Sequence, residues 1–114
     1  MTSRWTFDND ELFELVRNGR KHGTCSLYSD KESMAKIGEI QEIYNSHGET
    51  IRIQITDVRK CRFCDIDDAW AKIEGEGDLS LAYWRKVHID FFNKYYPEFQ
   101  ETDLLELNAF CVVP

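Results

Sequence analysis

Between Ile40 and Phe63 the chain carries its most constraining feature, a strict alternation of apolar and polar residues beside a turn signal. Ile51, Ile53 and Ile55 alternate with Arg52, Gln54 and Thr56, the period-two pattern of a strand with one wet face. Asn45-Ser46-His47-Gly48 separates this run, Thr50 to Phe63, from Ile40 to Tyr44. Turn-forming residues between two such runs predict a β-hairpin.

The remaining segments are read around that hairpin. Asp8-Asn9-Asp10-Glu11 offers N-cap and first-turn acids, Leu12, Leu15 and Val16 recur at helical spacing, and Asn18-Gly19 is a stop signal, which predicts a short helix over residues 9 to 18. Cys25 to Tyr28 reads as a short strand and Ser29 to Lys36 as a loop. Asp65 to Ile73 predicts a second short helix with Ala69, Trp70 and Ile73 on its buried side, and Glu74-Gly75-Glu76-Gly77-Asp78 breaks it. From Leu79 to Tyr96, Leu81, Trp84, Val87, His88, Phe91 and Tyr95 make one apolar, aromatic face of a longer helix that Pro97 ends. Leu104 to Val113 reads as a late strand with Leu105, Leu107, Ala109, Cys111 and Val113 on one face. The order α, β, β, β, α, α, β, with short turns between most neighbouring strands, is incompatible with a doubly wound parallel sheet and fits a small α+β barrel. At 114 residues the chain is one domain.

Charge narrows the function classes. The formal net charge is -7, which argues against non-specific binding to duplex DNA. Residues 1–60 hold nine basic against ten acidic side chains, whereas residues 61–114 hold five against eleven, so the excess acid lies in the second half and local cationic clusters survive at Arg17, Arg20 and Lys21. No apolar run is long enough to span a membrane and no basic segment followed by an apolar stretch opens the chain, so a cytoplasmic location is expected. The four cysteines are then read as reduced, buried structural thiols. Cys61-Arg62-Phe63-Cys64 is a single CxxC whose cysteines face opposite ways if the segment is a strand, and a structural zinc needs a second pair.

Two motifs carry chemistry. Gly19-Arg20-Lys21-His22-Gly23-Thr24 sets an ammonium and a hydroxyl three residues apart at a helix-to-strand junction. A desolvated lysine can take a hydroxyl proton; a charged one can hold a phosphate or carbonyl oxygen. The bland alternative is a cap glycine, a solvated lysine and a strand-start threonine. Glu74-Gly75-Glu76-Gly77-Asp78-Leu79-Ser80 gathers three carboxylates before the aromatic helix. These acids either collect a divalent cation, or one of them tunes Lys21, or they simply complement a helix N-terminus with Asp78 or Ser80 as its cap. His88 reads as a core histidine satisfied by one hydrogen bond, and Tyr28 and Tyr44 as strand tyrosines able to stack on a base.

Together the motifs resemble the ASCH domain, named for activating-signal-cointegrator homology. Trp5-Thr6-Phe7, the GxKxxT pattern at Gly19 to Thr24, Ile37-Gly38-Glu39, and Glu74 to Ser80 continuing to Trp84, His88 and Phe91-Phe92 carry the likeness over essentially the whole chain. Ala35 stands where the family usually has proline, and the segment from Tyr28 to Met34 is short. The resemblance implies a PUA-like mixed or antiparallel β-barrel with flanking helices and a cleft for RNA or a modified nucleoside. In small bacterial members it implies hydrolysis of the acetyl amide of acetylated cytidine without a cofactor, with roles falling on Lys21, Thr24 and Glu74, Glu76 being the other candidate for the acid, and with Gly19, Arg20, Tyr28, Glu76 and Ser80 as substrate contacts. Two alternatives accompany it: a divalent-metal-assisted ribonuclease on single-stranded RNA using Lys21 and Ser80, and a non-catalytic RNA-binding module.

Overall fold

A computed structural model describes residues 3–114. Its elements, in chain order, are β1 (Ser3–Trp5), α1 (Asp10–Arg17), β2 (Gly23–Leu27), β3 (Ile40–Tyr44), β4 (Thr50–Arg62), a 3-10 turn (Phe63–Asp65), α2 (Asp68–Glu74), α3 (Leu81–Tyr95) and β5 (Leu104–Val112). The helix caps are set by side chains that accept backbone N–H groups left over at the first turn. Asn9 accepts from Leu12, Asp67 from Trp70, and Ser80 from Tyr83. Among the described residues no helix is long and apolar enough to cross a membrane.

The five strands form one mixed sheet in the order β1-β3-β4-β5-β2. The expected hairpin is β3–β4, antiparallel with Ile43 opposite Ile51. Strand β1 was not anticipated; it pairs parallel with β3, and the Trp5 indole N–H donates to Gln41 Oε1 at 2.9 Å. Three residues are too few to show an alternation. Strand β4 is long enough to serve two neighbours, and its register against β5 shifts between Ile55 and Asp57. A bulge there bends the strand, so the sheet curls into a half-barrel. The α+β barrel expected from the element order therefore holds, as an open, curled sheet with three helices.

Two apolar clusters hold the sheet. Phe63, Trp70, Trp84, Phe92, Leu105 and Leu107 join α2 and α3 to one face, and Phe13, Val16, Ile43, Ile53, Ile55 and Phe110 join α1 to the other. Burial of large aliphatic and aromatic side chains at these positions stabilises the fold by about 1.5–3 kcal/mol each before entropy is counted.

Several sequence-based expectations are corrected by this packing. In α2 the buried side is Trp70, Ala71 and Glu74, while Ala69 is exposed, because the helix is pressed between β2 and α3 rather than lying flat on the sheet. In α3 the buried row is Trp84, His88 and Phe92, at strict i, i+4 spacing; Phe91 is half-buried and Tyr95 exposed. Strand β5 is covered on both faces: Leu105, Leu107 and Ala109 pack on the helices, and Glu106, Asn108 and Phe110 point into the concave side. Cys64 and Cys111 are exposed and Cys25 and Cys61 half-buried, so the cysteines are not a buried set. Cys64 lies in the 3-10 turn, outside the strand.

Candidate functional site

Two glycines bring the sequence motifs together. Gly19, at φ +83°, reverses the chain after α1, and Arg20 and Lys21 then donate their backbone N–H groups to Leu15 O at 2.9 and 3.0 Å. Gly75, at φ +72°, ends α2 in a left-handed conformation that favours glycine. A Cβ at Gly75 would lie 2.0 Å from the carbonyl oxygen of Arg20. The backbones of the two motifs thus touch, and His22 N–H donating to Ile73 O at 2.7 Å clamps them.

This contact buries Lys21 to 2% exposure and Glu74 to 1%. The Lys21 ammonium donates to Glu74 Oε1 at 3.2 Å, to the Glu74 carbonyl at 3.3 Å and to Glu76 Oε2 at 2.9 Å. An ammonium has three donors, and all three are engaged. The second oxygen of Glu74 accepts the indole N–H groups of Trp70 and Trp84, each at 2.7 Å. Both tryptophans read from sequence as apolar core; only their indole nitrogens, brought to one point by α2 and α3, make them part of the site. His88 stacks on Trp84 with ring centroids 4.2 Å apart, places Nδ1 2.7 Å from the Trp84 carbonyl and Nε2 3.4 Å from Glu74 Oε1. It has two acceptors, where the sequence reading allowed one.

The electrostatics follow from this packing. Burial opposes the charge on Lys21, but Glu74 and then Glu76 outweigh it and hold its pKa above the ordinary lysine value. Burial alone would push the Glu74 carboxyl up; the Lys21 charge and the hydrogen bonds from His88 and Trp84 reverse that and hold it well below the usual carboxylate range. Desolvation likewise opposes a charged His88, yet the hydrogen bond and charge of Glu74 raise it above 6.5. Burial, followed by the Glu74 charge, pushes the Cys25 thiol well up, which makes it a poor nucleophile. The resting site is therefore a lysine ammonium locked on two carboxylates, with the His88 ring beside one of them.

A cleft of about 1210 Å³ opens over this cluster, along the concave side of the sheet. Lys21, Thr24, Glu74, Glu76 and Arg20 all line it. Arg20 also donates from Nη2 to Gly77 O at 3.2 Å, tying the loop after α2 to the cleft mouth. Gly19, Tyr28 and Ser80 do not line it. Gly19 shapes the turn, Tyr28 lies under the Lys60 ammonium at 4.5 Å, and the Ser80 hydroxyl caps α3. Eight carboxylate side chains and four lysines or arginines line the cleft, so its field disfavours a polyphosphate chain.

The three acids at the end of α2 and in the loop beyond it part company: Glu74 and Glu76 meet on Lys21, while Asp78 accepts the Ser80 backbone N–H at 2.9 Å. Glu74, Glu76 and Asp78 thus form no cation cage. Among the described residues the potential ligand atoms that do converge, within 4.8 Å, are those of Cys25, Glu74 and His88. That set suits a cation poorly, since the thiol is held protonated and both Glu74 oxygens already accept hydrogen bonds.

A curled mixed sheet of five strands with three helices is the architecture of the small PUA-like folds, a class of RNA-binding folds. The sequence model of the ASCH domain matches residues 3–114, and the chain belongs to the ASCH domain family. It is similar to the crystal structure of an ASCH domain from Lactobacillus crispatus JV V101, with 36% identity and a TM-score of 0.84 over 96% of this chain and 79% of that one. A crystal structure of a protein from Enterococcus faecalis V583 is 29% identical with a TM-score of 0.84, over 99% and 80% of the two chains. A solution structure from Pyrococcus furiosus, 16% identical with a TM-score of 0.57 over 99% and 98%, shares the fold. Among curated proteins nothing matches.

Proposed function

We propose that the cleft hydrolyses the acyl amide of an acylated cytidine, acetylated cytidine being the representative substrate. The observation that carries this reading is the Lys21 ammonium held between Glu74 and Glu76 in an acidic cleft that Thr24 also lines. A neutral nucleoside tolerates such a cleft better than an RNA backbone does.

Lys21 has no free donor and is charged, so it accepts a proton only after giving one up. Glu76 is the better recipient, because it accepts from Lys21 alone among the described residues, whereas Glu74 is also held by two indoles. With that proton on Glu76, the neutral amine takes the Thr24 hydroxyl proton while the oxygen attacks the acyl carbon. Collapse of the tetrahedral oxyanion breaks the C–N bond, and the exocyclic nitrogen takes the proton back from Lys21. Water, deprotonated by Lys21, then attacks the Thr24 ester. The carboxylic acid leaves, Thr24 recovers its proton from Lys21, and Glu76 returns its own. Glu74 orients Lys21 throughout, and Arg20 and Glu76 contact the substrate at the mouth.

The test is acetate release from N4-acetylcytidine by the wild type and by Thr24→Ala. Release that disappears in the variant is expected. No release by the wild type at high enzyme concentration, undiminished release by Thr24→Ala, or chelator-sensitive loss of a labelled single-stranded RNA without acetate release overturns the reading.

A further inference from the structure

We infer that Asn108 is the residue that reads the substrate, accepting an N–H from the bound ligand through its side-chain carbonyl. The inference rests on the acyl-cytidine reading for the choice of ligand, but its geometry is independent of Lys21.

Asn108 is 8% exposed and lines the cleft, and its Oδ1 is buried with no hydrogen-bond partner among the described residues. A buried carbonyl oxygen without a partner is costly, and in native proteins it usually marks a place that water or a ligand fills. The amide cannot escape by turning over. Its Nδ2 donates to Glu106 Oε2 at 2.9 Å, and the same oxygen accepts the Ala35 backbone N–H at 3.1 Å. A backbone N–H only donates, so Oε2 is an acceptor and Asn108 must present its NH₂ to it. Glu106 therefore fixes the orientation and leaves Oδ1 unpartnered on a residue that lines the cleft.

The position is the right one for a group beside the reacting amide. Asn108 and Thr24 are directly paired across the β5–β2 ladder, as are Glu106 and Ser26. Such partners lie about 4.5–5.5 Å apart at Cβ. A substrate whose acyl carbon meets Thr24 has its amide nitrogen within reach of Asn108. The chemical class so selected is the secondary amide, which carries one N–H on the nitrogen next to the acyl group. Esters and N-alkylated amides lack that donor and leave Oδ1 unpaired. Asn108 is thus a positioning and specificity residue, with Glu106 its orienter.

The test compares binding of N4-acetylcytidine and its N4-methyl analogue to wild type, Asn108→Ala and Glu106→Gln by calorimetry, beside the acetate assay. The wild type is expected to favour the N–H ligand by about tenfold or more. That ratio falls towards one in Asn108→Ala, and it shrinks in Glu106→Gln, where the new side-chain amide lets Asn108 turn over. A ratio unchanged in Asn108→Ala overturns the inference while acetate release upholds the acyl-cytidine reading. An Asn108-dependent ratio without acetate release does the reverse, and absence of binding by the wild type overturns both.

Discussion

Glu74→Gln isolates the electrostatic core of the site, because it keeps the volume of the side chain and removes only its charge. In the wild type Oε2 receives two indole N–H groups at 2.7 Å and Oε1 faces Lys21 and His88 at 3.2 and 3.4 Å. A glutamine can keep the indoles on its carbonyl oxygen, but it then turns its NH₂ towards two further donors. Removing one partner of a buried ion pair costs about 3–5 kcal/mol. Lys21 keeps Glu76 at 2.9 Å, which places the expected loss at the lower end, about 3 kcal/mol. With an unfolding entropy of about 2.1 cal/mol/K per residue over 114 residues, that corresponds to a Tm lowered by about 12 °C. Urea denaturation monitored by tryptophan fluorescence measures the loss. The pH dependence gives a second readout. A carboxyl whose folded pKa is depressed contributes stability that is present above its unfolded value of 4.5 and is lost as pH falls below it. The wild type should therefore weaken below about pH 4.5 more steeply than Glu74→Gln. A double variant, Lys21→Met with Glu74→Gln, should cost less than the two single changes added together. A loss under about 1 kcal/mol with an unaltered acid limb refutes the view that Glu74 is held charged by Lys21 and the two indoles.

His88 has acceptors at both ring nitrogens and a pKa raised above 6.5, so in an NMR titration its midpoint should exceed 6.5 and should fall back in Glu74→Gln. Because the folded value is the higher one, its contribution to stability is complete below 6.5 and is lost as pH rises through the folded value; a midpoint at or below 6.5 contradicts the assignment. The two turn glycines should separate in a stability assay. Gly75→Ala, with its Cβ 2.0 Å from the Arg20 carbonyl, should cost well over about 2 kcal/mol, whereas Gly19→Ala, with nothing within 4 Å, should cost about 1 kcal/mol for its positive φ alone. Equal losses would mean that the two motifs do not depend on close backbone contact.

Much of this molecule is legible in local pattern. The β3–β4 hairpin follows from Ile51, Ile53 and Ile55, the start of α1 from the run that holds Asn9, and that of α3 from the pair Asp78 or Ser80, because alternation and capping act over a few residues. Lys21, Thr24 and Glu74 were also visible, as the motifs that resemble the ASCH domain. What sequence could not supply is the meeting of groups far apart in the chain. Whether Glu74 or Glu76 would face Lys21 was an open choice of two residues; the left-handed turn at Gly75 sends both there.

The sequence by itself determined every helix and strand but β1, their order, the acidic character of the chain and the residue types available for chemistry. Only the tertiary structure decided their state. Burial raised the stakes of every polar group near Lys21, whose charge keeps Glu74 ionised, and the indoles of Trp70 and Trp84, read as apolar in the sequence, became donors to that carboxylate. The unmet carbonyl of Asn108 likewise exists only because β5 is covered on both faces. Both facts have one physical origin: a charge or a hydrogen bond takes its energy from its neighbours and from the exclusion of water, and neighbours brought together by folding are not written in adjacent letters.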